Sequence, residues 1–317
     1  MISLIITVLN EKAVMPKWFG SFAMQTAMPE EIIIVDGGST DGTWEYLLEK
    51  KNSLPILKVL QSRGNIAHGR NVAITAAKGD KIVVTDAGCI YHPDWLRNLS
   101  NSFELRDWST TGFAPWFQAD DGWLVYAIAA ATIPQVNEFR KNWLPSSRSV
   151  AFKKSLWQDV GGYPEWIPYC EDVIFDLRIM QKAGEPGFIR EPLVFWRPRV
   201  SLVAYLRQLY NYTRSEGHGN LNVNRQLTRY VVYFGAIILF ILGMKFNLAW
   251  FVLLFGMVAY VPKFWLRWWI FTAEKNPWYR VLGLFAVPVV ISFGDVAKMV
   301  GFPVGVVERL IGKVKFQ

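Results

Sequence analysis

Two apolar runs, YVVYFGAIILFILGM (230–244) and LAWFVLLFGMVAYV (248–261), stand three residues apart in the last third of the 317-residue chain. Each alone is shorter than the ~20 residues a bilayer core requires, but Thr228, Tyr230 and Phe264–Trp265 extend both. Almost no charge interrupts them and aromatic residues crowd both ends, which favours a membrane hairpin over a helical pair buried in a soluble core. The next stretch, KFWLRWWIFTAEKNPWYR, mixes basic residues with tryptophans, the pattern of a segment lying in the interface. Residues 281–307 are again apolar but carry Pro288, Asp295, Lys298 and Pro303, so a third span, a re-entrant pair and a surface-lying stretch all fit. The expected division is therefore 1–225 as a water-facing domain and 226–317 as a C-terminal membrane region. Within the latter, the hairpin covers about 229–262, an interfacial part 263–280 and a further membrane-associated part 281–311.

Charge sets an orientation. The chain has 34 basic against 26 acidic residues, and the basic ones gather in the first domain, in 263–280 and in the tail ERLIGKVK, whereas the hairpin tip has only Lys245. By the positive-inside rule the first domain and the C-terminus face the cytoplasm. Nucleic acid is not an expected partner, because the bases cluster beside tryptophan and not along one polar face. Two cysteines, Cys89 and Cys170, imply no disulfide framework. The opening MISLIITVLNEK lacks a basic n-region and a small-residue cleavage site, and reads as a first strand.

Before residue 229, short apolar runs at 2–8, 32–35, 56–60 and 82–85 alternate with helical patterns at 14–25, 43–50 and 67–77. Such alternation predicts βαβ units and a mostly parallel, helix-covered α/β sheet. In such sheets ligands bind beyond the carboxyl ends of the strands. Neither G-x-G-x-x-G nor G-x-x-x-x-G-K-[ST] follows a strand, which argues against a dinucleotide enzyme and a P-loop enzyme. What does follow the strands is acidic and glycine-rich: Asn10-Glu11, then Asp36-Gly-Gly-Ser39-Thr-Asp41-Gly, then Thr85-Asp86-Ala87-Gly88. An acid at a strand end, such as Asp36, is costly unless something binds it.

These pieces, with Ala67-His-Gly-Arg70-Asn71, Lys78-Gly-Asp80, Phe152 through Gly161-Gly162-Tyr163, Glu171-Asp172 before a helix, and Arg207…Tyr212…Arg214-Ser-Glu-Gly, follow one another in a recognisable order. Over roughly residues 1–220 the chain resembles family 2 glycosyltransferases of GT-A fold, in the membrane-anchored branch of exopolysaccharide and lipid-linked-glycan transferases. The resemblance implies a Rossmann-like, mostly parallel GT-A domain followed by α-helical membrane segments. It implies an inverting enzyme that moves one sugar from a nucleoside-diphosphate sugar, UDP or GDP type, to a hydroxyl of a lipid-linked acceptor at the cytoplasmic face of the cell membrane. By the same resemblance, Thr7, Leu9, Asn10, Glu11, Asp36, Ser39 and Arg70 frame base and ribose, Asp86 faces ribose and any metal, and Ala87 belongs to the donor site beside it. Arg207 and Arg214 close over the diphosphate, Asp172 takes the acceptor proton as general base, and Glu171 orients the loop or the donor sugar. Residues 119–147, apolar and aromatic, are expected to shape the acceptor groove.

The chain departs from the family at Gly88, where a D-x-D motif would place a second acid. One route keeps a divalent cation, Mn²⁺ or Mg²⁺, on Asp86, diphosphate oxygens and water, with His218 as a further ligand. The other dispenses with metal and neutralises the diphosphate with Arg70, Lys153, Arg207 and Arg214. His68 at a helix start and His92 in a turn before Pro93 read as structural, and the cysteines read as small buried thiols and not as part of a zinc site. Two other functions stay open. A polyprenyl phosphate acceptor would need no base, and a nucleotide-sugar-binding membrane scaffold would have no activity.

Overall fold

The computed structural model describes residues 1–138 and 143–313. Residues 139–142 of the expected acceptor segment and the end of the basic tail from Val314 lie outside the described residues.

In chain order the elements are β1 (Ile2–Val8), α1 (Met15–Ala23), β2 (Glu31–Asp36), α2 (Thr43–Ser53), β3 (Leu57–Gln61), α3 (Ile66–Ala76), β4 (Lys81–Asp86), β5 (Cys89–Tyr91), α4 (Trp95–Ser102), β6 (Trp108–Pro115), α5 (Trp123–Thr132), β7 (Val150–Lys153), α6 (Lys154–Asp159), α7 (Glu171–Ala183) and β8 (Gly187–Trp196). Five helices follow: α8 (Leu202–Gly219), α9 (Val223–Gly243), α10 (Leu248–Tyr260), α11 (Pro262–Phe271) and α12 (Pro277–Leu310). Strands and helices alternate over the first 86 residues as the sequence predicts. The near-continuous Ile32–Ile33–Ile34–Val35 run is wholly buried, as a central parallel strand covered on both faces requires.

The sheet order is β3-β2-β1-β4-β7-β6-β8-β5. β1 pairs in parallel with β2 and β4, β2 with β3, and β6 with β8. β7 runs antiparallel to both β4 and β6, and β5 antiparallel to β8. β1, β2, β3, β4, β6 and β8 therefore end at one edge of the sheet, and β7 begins there. Trp108, Phe152, Tyr163 and Phe175 fill the core beneath that edge together with Ile5, Ile33 and Val84.

Contacts divide the chain into two compact units. The first holds Met1–Trp116 and Pro134–Arg197; the second holds Phe117–Ile133 and the chain from Pro198 on. This division falls earlier than the compositional change near residue 229, because α8 packs along α12 and α5 packs on α11 and α12. In the second unit, Tyr126, Tyr205, Trp268 and Val290 share one apolar core. Helices α8 and α12 meet so closely that a Cβ at Gly305 would lie 1.8 Å from the Arg214 carbonyl oxygen, so only glycine allows the approach.

Helices α9 and α12 are long and apolar enough to cross a membrane, and α10 with α11, bent by 46°, adds a third span if the pair is one. The stretch after residue 280 forms neither a re-entrant pair nor separate pieces. It is one 34-residue helix running through Pro288 and Pro303, about 51 Å long. Its mid-helix charges, Asp295 and Lys298, pair with each other and with α9. Asp295 accepts from Arg229 Nε at 3.1 Å, Lys298 Nζ at 3.0 Å, Tyr233 at 3.0 Å and Tyr260 at 2.6 Å, which joins α9, α10 and α12 around one buried carboxylate.

Candidate active site

The edge where the parallel strands end is built from loops that satisfy one another. After β1 the Asn10 N–H donates to Ser39 Oγ at 2.8 Å, the Glu11 N–H to Thr43 Oγ1 at 2.9 Å and the Lys12 N–H to Asp41 at 3.1 Å. The Thr40 N–H returns to Asn10 Oδ1 at 2.9 Å. Asn10 adopts φ +57°, a left-handed conformation that asparagine tolerates, and this turns the chain so that the two loops lace together. Leu9 is left exposed beside them.

The acid at the end of β2 is held by its own surroundings. Asp36 is fully buried and accepts from the Gly38 and Ser39 N–H groups, from the Ser39 hydroxyl and from Gln61 Nε2. Gln61 stands opposite Asp36 in the β2–β3 register, which explains the partner. The cost of an acid at this strand end is thus met by loop donors, and Asp36 shapes the loop that carries Ser39. Thr7 is paired across the sheet with Asp86, one strand over.

Helix α3 is the post on which the rest hangs. Asn65 caps it by accepting from the His68 N–H at 2.9 Å, and Asn65 Nδ2 donates to the Glu165 carbonyl at 2.6 Å. Asn71 accepts from the Tyr163 N–H at 2.9 Å and from Trp157 Nε1 at 3.0 Å, and donates to the Tyr163 carbonyl at 2.8 Å. Gly162, at φ +74°, lies where a Cβ would be 2.9 Å from Asn71 Oδ1, so the Gly-Gly-Tyr turn needs glycine for both conformation and space. His68 is a link in the same frame, with its ring nitrogens on Ser62 and Glu165.

At the centre, Arg70 joins β4 to α7. Its Nη1 donates to Glu171 Oε1 at 2.6 Å and its Nη2 to Asp86 Oδ1 at 3.0 Å, and its guanidinium lies 5.3 Å from the Tyr163 ring. Burial opposes its charge, but Asp86 and Glu171 hold it firmly protonated. Glu171 is 6% exposed, and burial with the neighbouring Asp172 charge pushes its carboxyl upward against the pull of Arg70. Asp172 is half-buried, one residue further into the first turn of α7. Cys170 precedes them at φ +61°, a strained conformation for a residue that is neither Gly nor Asn. Behind them Asp176 is completely buried, and neither of its oxygens has a hydrogen-bond partner among the described residues. Burial, and then the Asp172 charge, push the Asp176 carboxyl well above the ordinary carboxylate range.

A residue not singled out from the sequence completes the site. Arg148 lies in the loop just before β7, with its guanidinium 3.9 Å from the Trp196 ring and its Nε 3.8 Å from Asp86 Oδ2. Lys153, expected from the sequence to help neutralise the diphosphate, lies elsewhere. β7 is antiparallel, so Lys153 pairs with Lys81 at the start of β4 and bonds Asp107 at 2.6 Å. That places it at the opposite edge of the sheet, roughly 16 Å of strand from Asp86. A basic residue among serines immediately ahead of a strand was the available signal for Arg148, and it becomes meaningful only once the strand's direction is known.

Arg70, Asp86, Glu171 and Asp172 thus belong to one cluster, with Ala87 in the turn after β4. Arg207, Arg214 and His218 lie on α8 in the second unit. There Arg214 donates to both Glu308 oxygens at 2.6 Å, and His218 Nε2 contacts Glu308 at 2.9 Å. Cys89 is buried and its thiol is pushed up to about 12, chiefly by burial, which fits an inert thiol. No group of three or more His, Cys, Asp or Glu able to hold a metal ion occurs among the described residues. Both Asp86 oxygens face a guanidinium, so a dication there would compete with Arg70 and Arg148 for the same lone pairs.

The mostly parallel sheet with its polar cluster at the strand ends fits the GT-A fold. Residues 3–151 match the sequence profile of Glycosyl transferase family 2, and the chain carries a domain of that family. An uncharacterized glycosyltransferase of Haemophilus influenzae is 25% identical over 62% of this chain and 67% of its own length. The O-antigen chain rhamnosyltransferase WbaN of Salmonella anatum is 24% identical over 62% of each chain, so the match spans less than two thirds of that relative. Among solved structures, the mannosyltransferase PcManGT from Pyrobaculum calidifontis, in complex with GDP-Man and Mn²⁺, superposes with TM-score 0.55. That match has 16% identity and covers 98% of this chain and 86% of that one, a likeness of fold.

Proposed function

We propose that the protein is an inverting glycosyltransferase that moves one sugar from a UDP- or GDP-sugar to a hydroxyl of a lipid-linked acceptor at the cytoplasmic face of the membrane. The observation that carries the reading is the Arg70 bridge. It fixes Asp86 at the end of β4 and Glu171 at the start of α7 in one ionic unit, so a donor-side acid and an acceptor-side acid pair are held in register. The nucleotide lies along the laced loops of Asn10, Glu11 and Ser39, with its diphosphate towards Asp86 and Ala87. Glu171 is locked by Arg70 and acts as a positioning residue. Asp172, the more accessible carboxylate, accepts the proton as the acceptor oxygen attacks the anomeric carbon. The bond from that carbon to the diphosphate breaks as the new one forms, and its electron pair leaves on the phosphate oxygen.

Two helices fit to enter a bilayer and the likeness to an O-antigen chain transferase support a membrane-tethered glycan as acceptor. The basic residues flanking the spans support a cytoplasmic active site. The GDP-Man bound in the fold neighbour supports keeping a GDP-type donor beside a UDP type.

The test is incubation of membranes containing the full chain with labelled UDP- and GDP-sugars. The reading expects label to enter a lipid-extractable product from one donor. Nucleotide-sugar binding without label transfer from any donor would instead favour a silent binding scaffold.

A further inference from the structure

We infer that Arg148, positioned beside Asp86 and backed by Arg70, takes the place of a divalent cation, so that the departing diphosphate is met by guanidinium groups. This rests on the nucleotide-sugar reading above and adds to it the chemistry that receives the leaving group.

Several independent features agree. Asp86 Oδ1 lies 3.0 Å from Arg70 Nη2 and Asp86 Oδ2 lies 3.8 Å from Arg148 Nε, so positive charge flanks both carboxylate oxygens. Arg70 is shared with Glu171, so the two guanidinium groups and these two carboxylates balance, and the positive edge that Arg148 presents at Asp86 favours a diphosphate oxygen over a dication. Arg148 is held in place before any ligand arrives. It stacks on Trp196 at 3.9 Å, its Nη1 donates to Ser146 Oγ at 3.0 Å, and its carbonyl accepts from Thr85 Oγ1 at 2.8 Å. A planar guanidinium fixed by stacking is preset in orientation and keeps its charge, the properties suited to meeting phosphate oxygens. Topology supplies the placement, because Val84 pairs with Val150 and the residues just before β7 therefore flank those just after Val84.

The two arginines divide the work. Arg70 is 2% exposed and both its terminal nitrogens are taken by Asp86 and Glu171, so it positions. The Arg148 side chain is 21% exposed and is the group that touches the phosphate. As the bond from the anomeric carbon to the β-phosphate oxygen breaks, the electron pair and the new negative charge appear on that oxygen, beside Arg148. The acceptor oxygen bonds to the same carbon and its proton passes to Asp172, so nothing further is needed to balance the step.

Gly88 shows that crowding does not dictate the missing acid. A Cβ there would meet no atom within 4 Å, and its φ lies outside the left-handed range. An aspartate fits, and restoring it gives a direct test.

The experiment titrates UDP and GDP into the purified full-length chain, once with EDTA and once with Mn²⁺, in the wild type, R148A, R148K and the double variant R148A/G88D. Unfolding midpoints are recorded for each. The nucleotide that binds the wild type is expected to do so about equally with EDTA and with Mn²⁺. R148A should weaken binding about tenfold or more under both conditions, R148K by less, and R148A/G88D should recover affinity only with Mn²⁺. Wild-type binding that EDTA abolishes would overturn the inference while leaving the proposed function intact, and this arm stands even if a variant fails to fold. Failure of both nucleotides to bind the wild type under either condition would overturn the proposed function itself.

Discussion

Arg70 on α3 donates to Glu171 on α7 at 2.6 Å, across 101 residues of sequence and almost wholly out of solvent. An ion pair so placed holds two elements in register, and its removal leaves a buried carboxylate with no counter-charge. Arg70→Ala should therefore lower stability by about 3–5 kcal/mol. Denaturant unfolding of the full chain, followed by near-UV circular dichroism, measures it. A change within 1 kcal/mol or so would mean that Glu171 is already neutral in the folded state.

Asp176 should show the opposite sign. It is buried without a hydrogen-bond partner among the described residues, and its carboxyl stands well above the ordinary value of 3.8. A raised acid contributes stability that is fully present below its unfolded value and is lost as pH rises through its folded value. Asp176→Leu should thus gain about 1–3 kcal/mol at neutral pH and flatten the decline in stability above pH 4. Unfolding midpoints of variant and wild type between pH 4 and pH 8 give the comparison. Curves that stay parallel would show that Asp176 does not titrate differently in the folded state.

The backbone at Cys170 stores strain that glycine would release. At φ +61° an L-residue costs about 1–2 kcal/mol, part of which glycine's greater unfolded-state freedom returns. Cys170→Gly should leave stability unchanged or raise it by up to about 1 kcal/mol, whereas Cys170→Val should lower it by about 1–3 kcal/mol. Thermal unfolding of the pair checks both directions.

Within the second unit, two glycines predict contrasting outcomes. A Cβ at Gly305 would collide with the Arg214 backbone, whereas one at Gly235 meets nothing within 4 Å. Gly305→Ala should force α8 away from α12 and cost more than about 2 kcal/mol, while Gly235→Ala should be neutral or slightly favourable. Yield of monodisperse protein in detergent and its melting temperature distinguish the two.

Much of the α/β framework was legible because it is written locally. The runs at 2–8, 32–35 and 82–85 carry their burial in their composition, and Asp86 and Glu171-Asp172 sit where a strand stops and a helix starts. What escaped was set by chain direction and distant pairing. Lys153 and Arg148 flank the same short strand, and only its antiparallel course decides which of them reaches Asp86. Asp36 needed no ligand to explain it, since Gln61 on the neighbouring strand and its own loop satisfy it. Asp295 and Lys298 looked like interruptions of an apolar run until Arg229, Tyr233 and Tyr260 were placed around them.

The central claim is that Asp172 removes a proton during sugar transfer, and one variant addresses it most directly. Asp172→Asn keeps the shape of the side chain and leaves the Arg70 bridge in place. With the accepted donor at saturation, its transfer rate should fall about 10²–10⁴-fold, while donor affinity stays within about twofold of wild type. Transfer within about tenfold of wild type, with the same affinity, would contradict the account and shift the reading to an acceptor that arrives already ionised.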